Sequence, residues 1–498
     1  MRLDGRAIYQ LDPATFFDTD GDGLGDLNGV LRRLDHIRAV GADTVWLQPF
    51  YVSPYRDGGY DVVDHCDVSS RFGTMADFEK LVARCHQVEL RVLVELVVQH
   101  TSIDHPWFKA AREDPESPYR DYYVWASEPY DDGVVSEPVF PGAEDSVWAY
   151  DETAGKYYRH AFYRHEPDLN VGNPAVLEEI RRIVRHWLDR GVDGFRVDAV
   201  PYMVRQAAAI DERDRGFWFL TELCSAGNGA PMMGEVDAPP DEYRHYFGDA
   251  DRLHAVLNFW MNNLIFLAMA RGEAEPVVRA LRDQPQPPDA CTYVNWLRNH
   301  DELDLERLTA SERDEVLAAF APKEEMRAFG RGIRRRLAPM LGSDRRVAMA
   351  HALVQSLPGV PIVRYGEEIG MADDLSLPDR EPVRTPMEWD KVDDQDLRSG
   401  SLLSRVSQLV RRRRELGALP VRWCESLTFD QPSVLGLLHH RSGEAVLMLV
   451  NLADREVEVT LPYDVMADLL ADSNYEPATT GAVQLNGYGY RWLRVTDT

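Results

Sequence analysis

The chain of 498 residues is 44% hydrophobic and 28% charged, long enough for a large core and two or three domains and unlike a small disulfide scaffold. Its 55 Lys and Arg stand against 83 Asp and Glu, and the formal charge of -28 argues against a nucleic-acid partner, which needs a basic stripe to meet phosphate. A basic cluster, residues 331–336 in GRGIRRRLAP, reads as a solvated helix face or an internal ion-pair network.

The opening segment, MRLDGRAIYQLD, has no basic stretch followed by an apolar one, so no secretory signal is expected and the expected compartment is the cytoplasm. The longest apolar run, 259–270, contains Asn262 and Asn263 and is too short to cross a bilayer, so no membrane partner is expected. Cys66, Cys85, Cys224, Cys291 and Cys424 are odd in number and form no CxxC pair, which fits reduced thiols better than disulfides or zinc.

Short apolar runs then alternate with helical patterns: AIYQ, TVWLQPF, RVLVELVVQ, GFRVDAV, MMGEV, AVLNF, YVNWLRN and PIVRYG. Residues 27–40, 75–87, 175–190 and 348–356 carry helical periodicity. Eight strands each followed by helix predict an α/β fold, a parallel TIM (β/α)8 barrel, with a doubly wound sheet as the competing architecture. Over 103–169 the pattern breaks into HPWF, SPYRDYYVW and VFPGAEDSVWAYD, too long for an ordinary connection, which predicts an inserted domain after the third strand. A helix over 402–415 precedes SVLGLLHH, AVLMLVNL, EVEVTLP and GYGYRWLRV, which predict a C-terminal antiparallel β-sandwich. The division is a barrel of 1–102 and 170–418, an insert of 103–169 and a terminal domain of 419–498.

In such a barrel, reacting residues project from the C-terminal strand ends. Three carboxylates stand there: Asp198 in GFRVDAV, Glu235 in MMGEVD, and Asp301 beside His300 in NWLRNHDE. One carboxylate after a strand is more often a cap or a surface residue; three, with His and Arg neighbours, point to a site. Arg196 and Asp198 are two apart in a strand and share a side, so the cation is expected to lower the Asp198 pKa and keep it ionised, as a carboxylate nucleophile requires. Glu235, among Met232, Met233 and Val236, is expected to have a raised pKa and to serve as the acid. One ionised and one protonated carboxyl, about 5 to 5.5 Å apart, suit double-displacement glycoside chemistry.

DTDGDGLGD is a second signal. Asp18, Asp20, Asp22 and Asp26 alternate with glycines that permit a tight loop, and with the Leu24 carbonyl they offer hard oxygens that suit a structural Ca²⁺; the alternative is a turn-rich acidic surface loop. Gly29 at position 12 excludes an EF-hand. No organic cofactor is expected.

With these motifs in order, the chain resembles the α-amylase superfamily (glycoside hydrolase family thirteen), and within it the trehalose synthases. The similarity runs from IYQLDPATFFDTDGDGLGD through DGGYDV, QHTSIDHPWF, HEPDLN, GFRVDAVPY, GEVD, DEYRHYFGD, WLRNHDEL, GIRRRLAPML, PGVPIVRYGEEIGM and VRTPMEW to GYGYRW, nearly the whole chain. The resemblance implies Asp198 as nucleophile, Glu235 as general acid/base and Asp301 as stabiliser of the distorted sugar. It implies that Tyr60, Asp61, His100, Arg196 and His300 hold the glucose ring. Arg384 in VRTPMEW looks like the family arginine that pairs with the DGGYDV aspartate, here Asp61, closing the pocket behind one sugar. The family's calcium loop matches DTDGDGLGD. The implied partner is a small α-glucoside, maltose or trehalose; a homo-oligomer is compatible with the sequence.

Four positions depart from the family pattern. Glu95 and Gln99 stand where the family usually has Asp and Asn, and lengthening two inward side chains costs about 1 to 3 kcal/mol each unless neighbours shrink, so a rearranged pocket floor is expected. The family Asn often belongs to a second calcium site, which is in doubt at Gln99. Arg364 and Glu367 stand where the family commonly has Tyr and Asp. The expected activity is interconversion of maltose and trehalose by intramolecular transglucosylation. An α-glucosidase, or a transferase with another acceptor, is the alternative, and a binding partner without chemistry is the remaining reading.

Overall fold

The eight apolar runs form a closed parallel barrel in the computed structural model, which describes residues 3–135, 137–417, 423–441, 444–476, 478 and 481–496. Its strands are β1 (Ile8–Leu11), β2 (Thr44–Leu47), β3 (Arg91–Leu96), β4 (Gly194–Val197), β5 (Met232–Gly234), β6 (Ala255–Leu257), β7 (Thr292–Asn295) and β8 (Val360–Arg364). Each pairs in parallel with its sequence neighbours, and β8 closes on β1, so that Ile8 sits opposite both Thr44 and Ile362. The strands read as continuous apolar runs because both their faces are covered.

Alternation along the strands positions the site. Ile8, Trp46, Leu93, Met233, Val294 and Ile362 belong to one buried cluster, while Tyr9, Val45, Val92 and Val363 belong to the larger cluster shared with the helices. Two residues further along β1, β3 and β8, on the Ile8, Leu93 and Ile362 side, stand Gln10, Glu95 and Arg364, all buried. An apolar layer therefore underlies a polar layer at the C-terminal end of the barrel.

The expected helices formed with one break. Helix Met75–Gln87 starts at a capping box between Thr74 and Asp77, and helix Pro174–Leu188 starts on the Asn173 side chain and buries Val176, Ile180, Ile183, Val184 and Trp187 at helical spacing. The 27–40 pattern is two helices, Leu27–Arg32 and Leu34–Val40. Arg33 leaves the helical conformation between them, and its guanidinium lies over the Phe17 and Trp389 rings at 4.2 and 4.1 Å. Helix Asp344–Ser356 begins before the apolar pattern does, because Ser343 caps a polar first turn.

The insert carries helix Pro106–Glu113 and a three-stranded sheet in the order Trp125–Ala126, Lys156–Arg159, Trp148–Asp151. Arg159, fully buried, ties the insert together by binding Asp132 and Asp168, and Asp168 also accepts from Ala161 N. A guanidinium is thus the buried cation beside Asp168. Helix Leu402–Glu415 leads to the terminal domain; the expected boundary at 418 and 419 lies outside the described residues. There, a five-stranded antiparallel sheet (Glu425–Leu427, Val434–Arg441, Glu444–Asn451, Tyr490–Val495, Val465–Ala471) packs on the pair Val457–Thr460 and Ala482–Leu485 through Leu438, Leu447, Val459, Val483 and Leu493.

The basic cluster is an ion-pair network and not a helix face. Arg331 meets Asp304 and Glu306 at 3.0 Å, Arg335 meets Asp373 at 3.3 Å, and Arg336 meets Glu367 at 3.3 Å. Among the described residues the five cysteines form no disulfide, and no helix is long and apolar enough to cross a membrane.

Candidate active site

Arg196, at the centre of the polar layer, has no exposed surface. Its Nη1 donates to Asp198 Oδ1 at 2.5 Å and to Glu95 Oε2 at 2.9 Å, and its Nη2 lies 2.7 Å from Glu235 Oε1. Three carboxyl groups therefore converge on one guanidinium. Asp198 follows β4, and the next residue, Ala199, is in the left-handed region (φ +50, ψ +37), which costs a non-glycine residue about 1 kcal/mol. That turn aims the Ala199 N–H at Glu235 Oε2, 3.0 Å away, so local strain joins the ends of β4 and β5.

The electrostatics correct one expectation. Burial pushes Asp198 up to about 6; Arg196 does pull the pKa down, as expected of the cation, but it does not outweigh burial, to which Glu95 adds. Burial likewise pushes Glu235 up to about 7 against the pull of Arg196, as expected for an acid. Asp301 differs: burial works against its charge, but the cations Arg380 and Arg384, with the neutral His300 Nε2–H 3.1 Å from Oδ2, overcome it and hold the carboxyl well below the ordinary range.

Asp301 is placed from three directions. Arg298 Nη2 donates to its carbonyl at 2.7 Å, while Arg380 Nη1 and Arg384 Nη2 each lie 3.1 Å from Oδ1. The expected Arg384 pairing with Asp61 is not formed. Arg384 donates to the His300 carbonyl at 3.0 Å and to Asp301, whereas Asp61 accepts from Ser53 Oγ at 2.7 Å. The cause is the DGG turn: Arg384 Nη1 lies where a Cβ on Gly58 (φ +56) would stand 2.6 Å from it, so the guanidinium rests on the turn and faces Asp301.

Tyr60 and His300 stack with centroids 5.4 Å apart. Gln10 Nε2 donates to His300 Nδ1 at 2.9 Å, which leaves the imidazole proton on Nε2, 2.7 Å from Tyr60 Oη and 3.1 Å from Asp301 Oδ2. His100 sits between Gln99 Oε1, 2.9 Å from Nδ1, and the Tyr60 carbonyl, 3.2 Å from Nε2. Burial drives both histidines below their ordinary value, His300 strongly.

Tyr60, His100, Asp198, Glu235, His300 and Asp301 share a cavity of about 60 Å³ with Asp57, Phe140, Phe162 and Arg380. Arg196 braces Asp198 and Glu235 from below, Arg384 lies behind Asp301, and Asp61 is buried under the turn. The four departures each meet a partner. Glu95 Oε1 accepts from Trp46 Nε1 at 2.8 Å and Tyr60 Oη at 3.0 Å, Gln99 meets His100, Arg364 donates to the Val383 carbonyl, and Glu367 accepts from Leu337 N at 3.2 Å.

Sequence reasoning did not place Gln10, Trp46, Phe140 or Arg380 in the site. Gln10 carried a readable signal, a polar residue in an apolar barrel strand. Arg380, in SLPDREPVR, carried none.

In the DTDGDGLGD loop, carboxylate oxygens of Asp18, Asp20 and Asp22 lie within 4.8 Å of one another. Asp26 stands apart from that cluster. It caps helix Leu27–Arg32 through Gly29 N at 2.7 Å and accepts from Thr19 N at 2.8 Å, because the helix start needs an acceptor there.

A family profile of the α-amylase catalytic domain matches residues 10–320, and one of the sucrose hydrolase-like C-terminal domain matches 443–494. The chain belongs to the α-amylase family of enzymes. The trehalose synthase/amylase TreS of Mycobacterium tuberculosis is 36% identical over 98% of this chain and 89% of its own length. The probable alpha-glucosidase of Rhizobium meliloti is 32% identical over 99% of this chain and 96% of its own. The crystal structure of the alpha-amylase from H. orenii superposes with a TM-score of 0.81 at 25% identity, covering 98% of this chain and 99% of that one.

The Gln10 contact predicts the state of one ring. In imidazole-nitrogen NMR, with His300→Gln used for assignment, His300 should remain neutral with its proton on Nε2 between about pH 5.5 and 8. A protonated Nδ1 in that range would contradict the contact.

Proposed function

We propose that this enzyme is a trehalose synthase, interconverting maltose and trehalose by double displacement with retention at the anomeric carbon. The observation that carries the reading is a second chamber of about 150 Å³ that adjoins the first and shares Phe140, Phe162, Glu235, Asp301 and Arg380 with it. A glucose leaving the reacting sugar has a place beside the acid that released it. Its lining is polar: Asp237 faces Arg307 at 2.9 Å, and Asp304 faces Arg331 at 3.0 Å, groups able to exchange hydrogen bonds with sugar hydroxyls. The Mycobacterium tuberculosis relative, named a trehalose synthase/amylase, supports the same reading.

In this mechanism Asp198 attacks C1 of the non-reducing glucose of maltose while Glu235 protonates the departing O4, leaving a glucosyl ester on Asp198 and a free glucose. That glucose turns, its O1 hydroxyl gives its proton to Glu235, and the oxygen attacks C1, releasing Asp198 and forming the 1,1-linkage. Asp301, fixed as an anion, stabilises the oxocarbenium-like charge in both steps. Tyr60, Asp61, His100, Arg196, His300 and Arg384 hold or brace the reacting ring. Phe140 and Phe162 line both chambers, and Phe140 is backed by Phe329, rings 4.8 Å apart with Arg380 over both; this aromatic wall limits the access of water to the ester. Where water does enter, the ester hydrolyses, which is the α-glucosidase reading favoured by the Rhizobium meliloti relative.

Maltose incubated with the purified protein and followed by NMR should yield trehalose, and Asp198→Asn should abolish that product. Free glucose as the sole product at every time would establish hydrolysis instead.

We propose further that the DTDGDGLGD loop binds a structural Ca²⁺, held by Asp18, Asp20 and Asp22 with the Leu24 carbonyl. The donor set fits a hard cation. Backbone N–H groups of Gly21 and Gly23 curl around Asp18 at 2.7 and 2.9 Å and lower its pKa, so the loop gathers three anionic side chains in one place. The ion supplies stability and takes no part in the reaction. A chelator should lower the melting temperature while leaving activity at low temperature largely intact; an unchanged melting curve, with no calcium in the purified protein, would contradict this.

A further inference from the structure

Glu95 is a buried carboxyl that the proposed reaction does not use, yet it touches the machinery of the nucleophile. It lies on β3 in the polar layer, and Trp46 Nε1, Tyr60 Oη and Arg196 Nη1 all donate to it, at 2.8, 3.0 and 2.9 Å. Three donors and no acceptor suit a carboxylate, while burial works against the charge and pushes its pKa up to about 7. The nitrogen that serves Glu95 is the one that serves Asp198, at 2.5 Å.

We propose that Glu95 is a positioning residue for Asp198, acting through Arg196: its negative charge draws on the same guanidinium that otherwise serves as counter-ion to the nucleophile alone. This rests on Asp198 being the nucleophile. A carboxylate relieved of part of its counter-ion keeps more electron density for the anomeric carbon, and it also takes up a proton more readily. The cost is a nucleophile that is lost to protonation at a higher pH, in line with the upward displacement of Asp198 to which Glu95 adds. The other charged or titratable groups facing the pair are Glu235 just after β5, Asp301 after β7, and Tyr60 with His300 one step beyond it. Because these groups interact, the acid limb of the activity profile belongs to the cluster and not to one residue.

The sign follows from the contacts. Replacing Glu95 by glutamine keeps the shape and an oxygen for Arg196 but removes one anionic, proton-binding carboxyl from the coupled cluster, so the remaining carboxyl groups should hold their charge to lower pH. The test is the pH profile of kcat/KM on maltose for the parent, Glu95→Gln and Glu95→Asp. The acid limb should move down by about one pH unit in Glu95→Gln and in the same direction by less in Glu95→Asp, whose carboxylate is drawn back by one methylene. Acid limbs that stay at the parental position in both variants, with only a uniform loss of rate or a lower melting temperature, would overturn the proposal and leave Glu95 a structural residue. Asp198→Asn tests the underlying reading separately: loss of turnover upholds the nucleophile, and retained turnover overturns it whatever the Glu95 variants do.

Discussion

A guanidinium with no access to water is the constraint on which the rest of this site depends. Moving a charge from water into a protein interior costs several kcal/mol, and the cost is met only if hydrogen bonds and counter-charges surround it. Arg196 is met by Asp198, Glu95 and Glu235, drawn from β3, β4 and β5. The same arrangement that makes the cation tolerable brings two carboxyl groups to one cavity in different electrostatic settings. Removing the cation would leave buried acids with no counter-charge, and they would take up protons. Fold and chemistry are thus satisfied by one set of contacts.

That set of contacts requires the barrel. Inward positions on successive strands alternate in layers, apolar below and polar above, and only a closed sheet lets residues from β1, β3 and β4 converge on one axis. The left-handed Ala199 adds a small, local strain where β4 turns into its helix, and its N–H reaches across to Glu235. The opposite wall is built differently. Asp301 is a loop residue fixed by Arg298, Arg380 and Arg384, so it stays an anion while Asp198 and Glu235 are raised towards neutrality. Arg380 also carries the Phe140 and Phe329 rings, which links the most strongly ionised group of the site to its aromatic cover.

Much of this was legible in the residues. Strand runs showed because buried parallel strands are continuously apolar, and helix 402–415 showed because its periodicity is clean. Asp198 and Glu235 were legible because each follows such a run. What escaped the reading depends on contacts between distant segments. The Asp198 displacement could not be foreseen from Arg196 alone, since it comes chiefly from burial at the end of the barrel, to which Glu95, 101 residues from that arginine, adds. Arg384 took Asp301 instead of Asp61 because of the space over Gly58, which no spacing encodes. The helix break at Arg33 follows from the aromatic pair Phe17 and Trp389, brought together from opposite ends of the barrel domain. Among the calcium candidates, Asp26 alternates with its neighbours as a ligand would, and its further use as the cap of a helix could not be read from that alternation.

The organising role of Arg196 is open to one direct measurement: kcat of Arg196→Lys, taken beside its circular dichroism spectrum. A lysine keeps the positive charge but has no planar fork to reach three carboxyl groups at once. The folded variant should lose about a hundredfold or more in kcat, on the scale of removing one preorganised donor from a catalytic site. A folded variant with kcat near the parental value would contradict the central place given to that guanidinium.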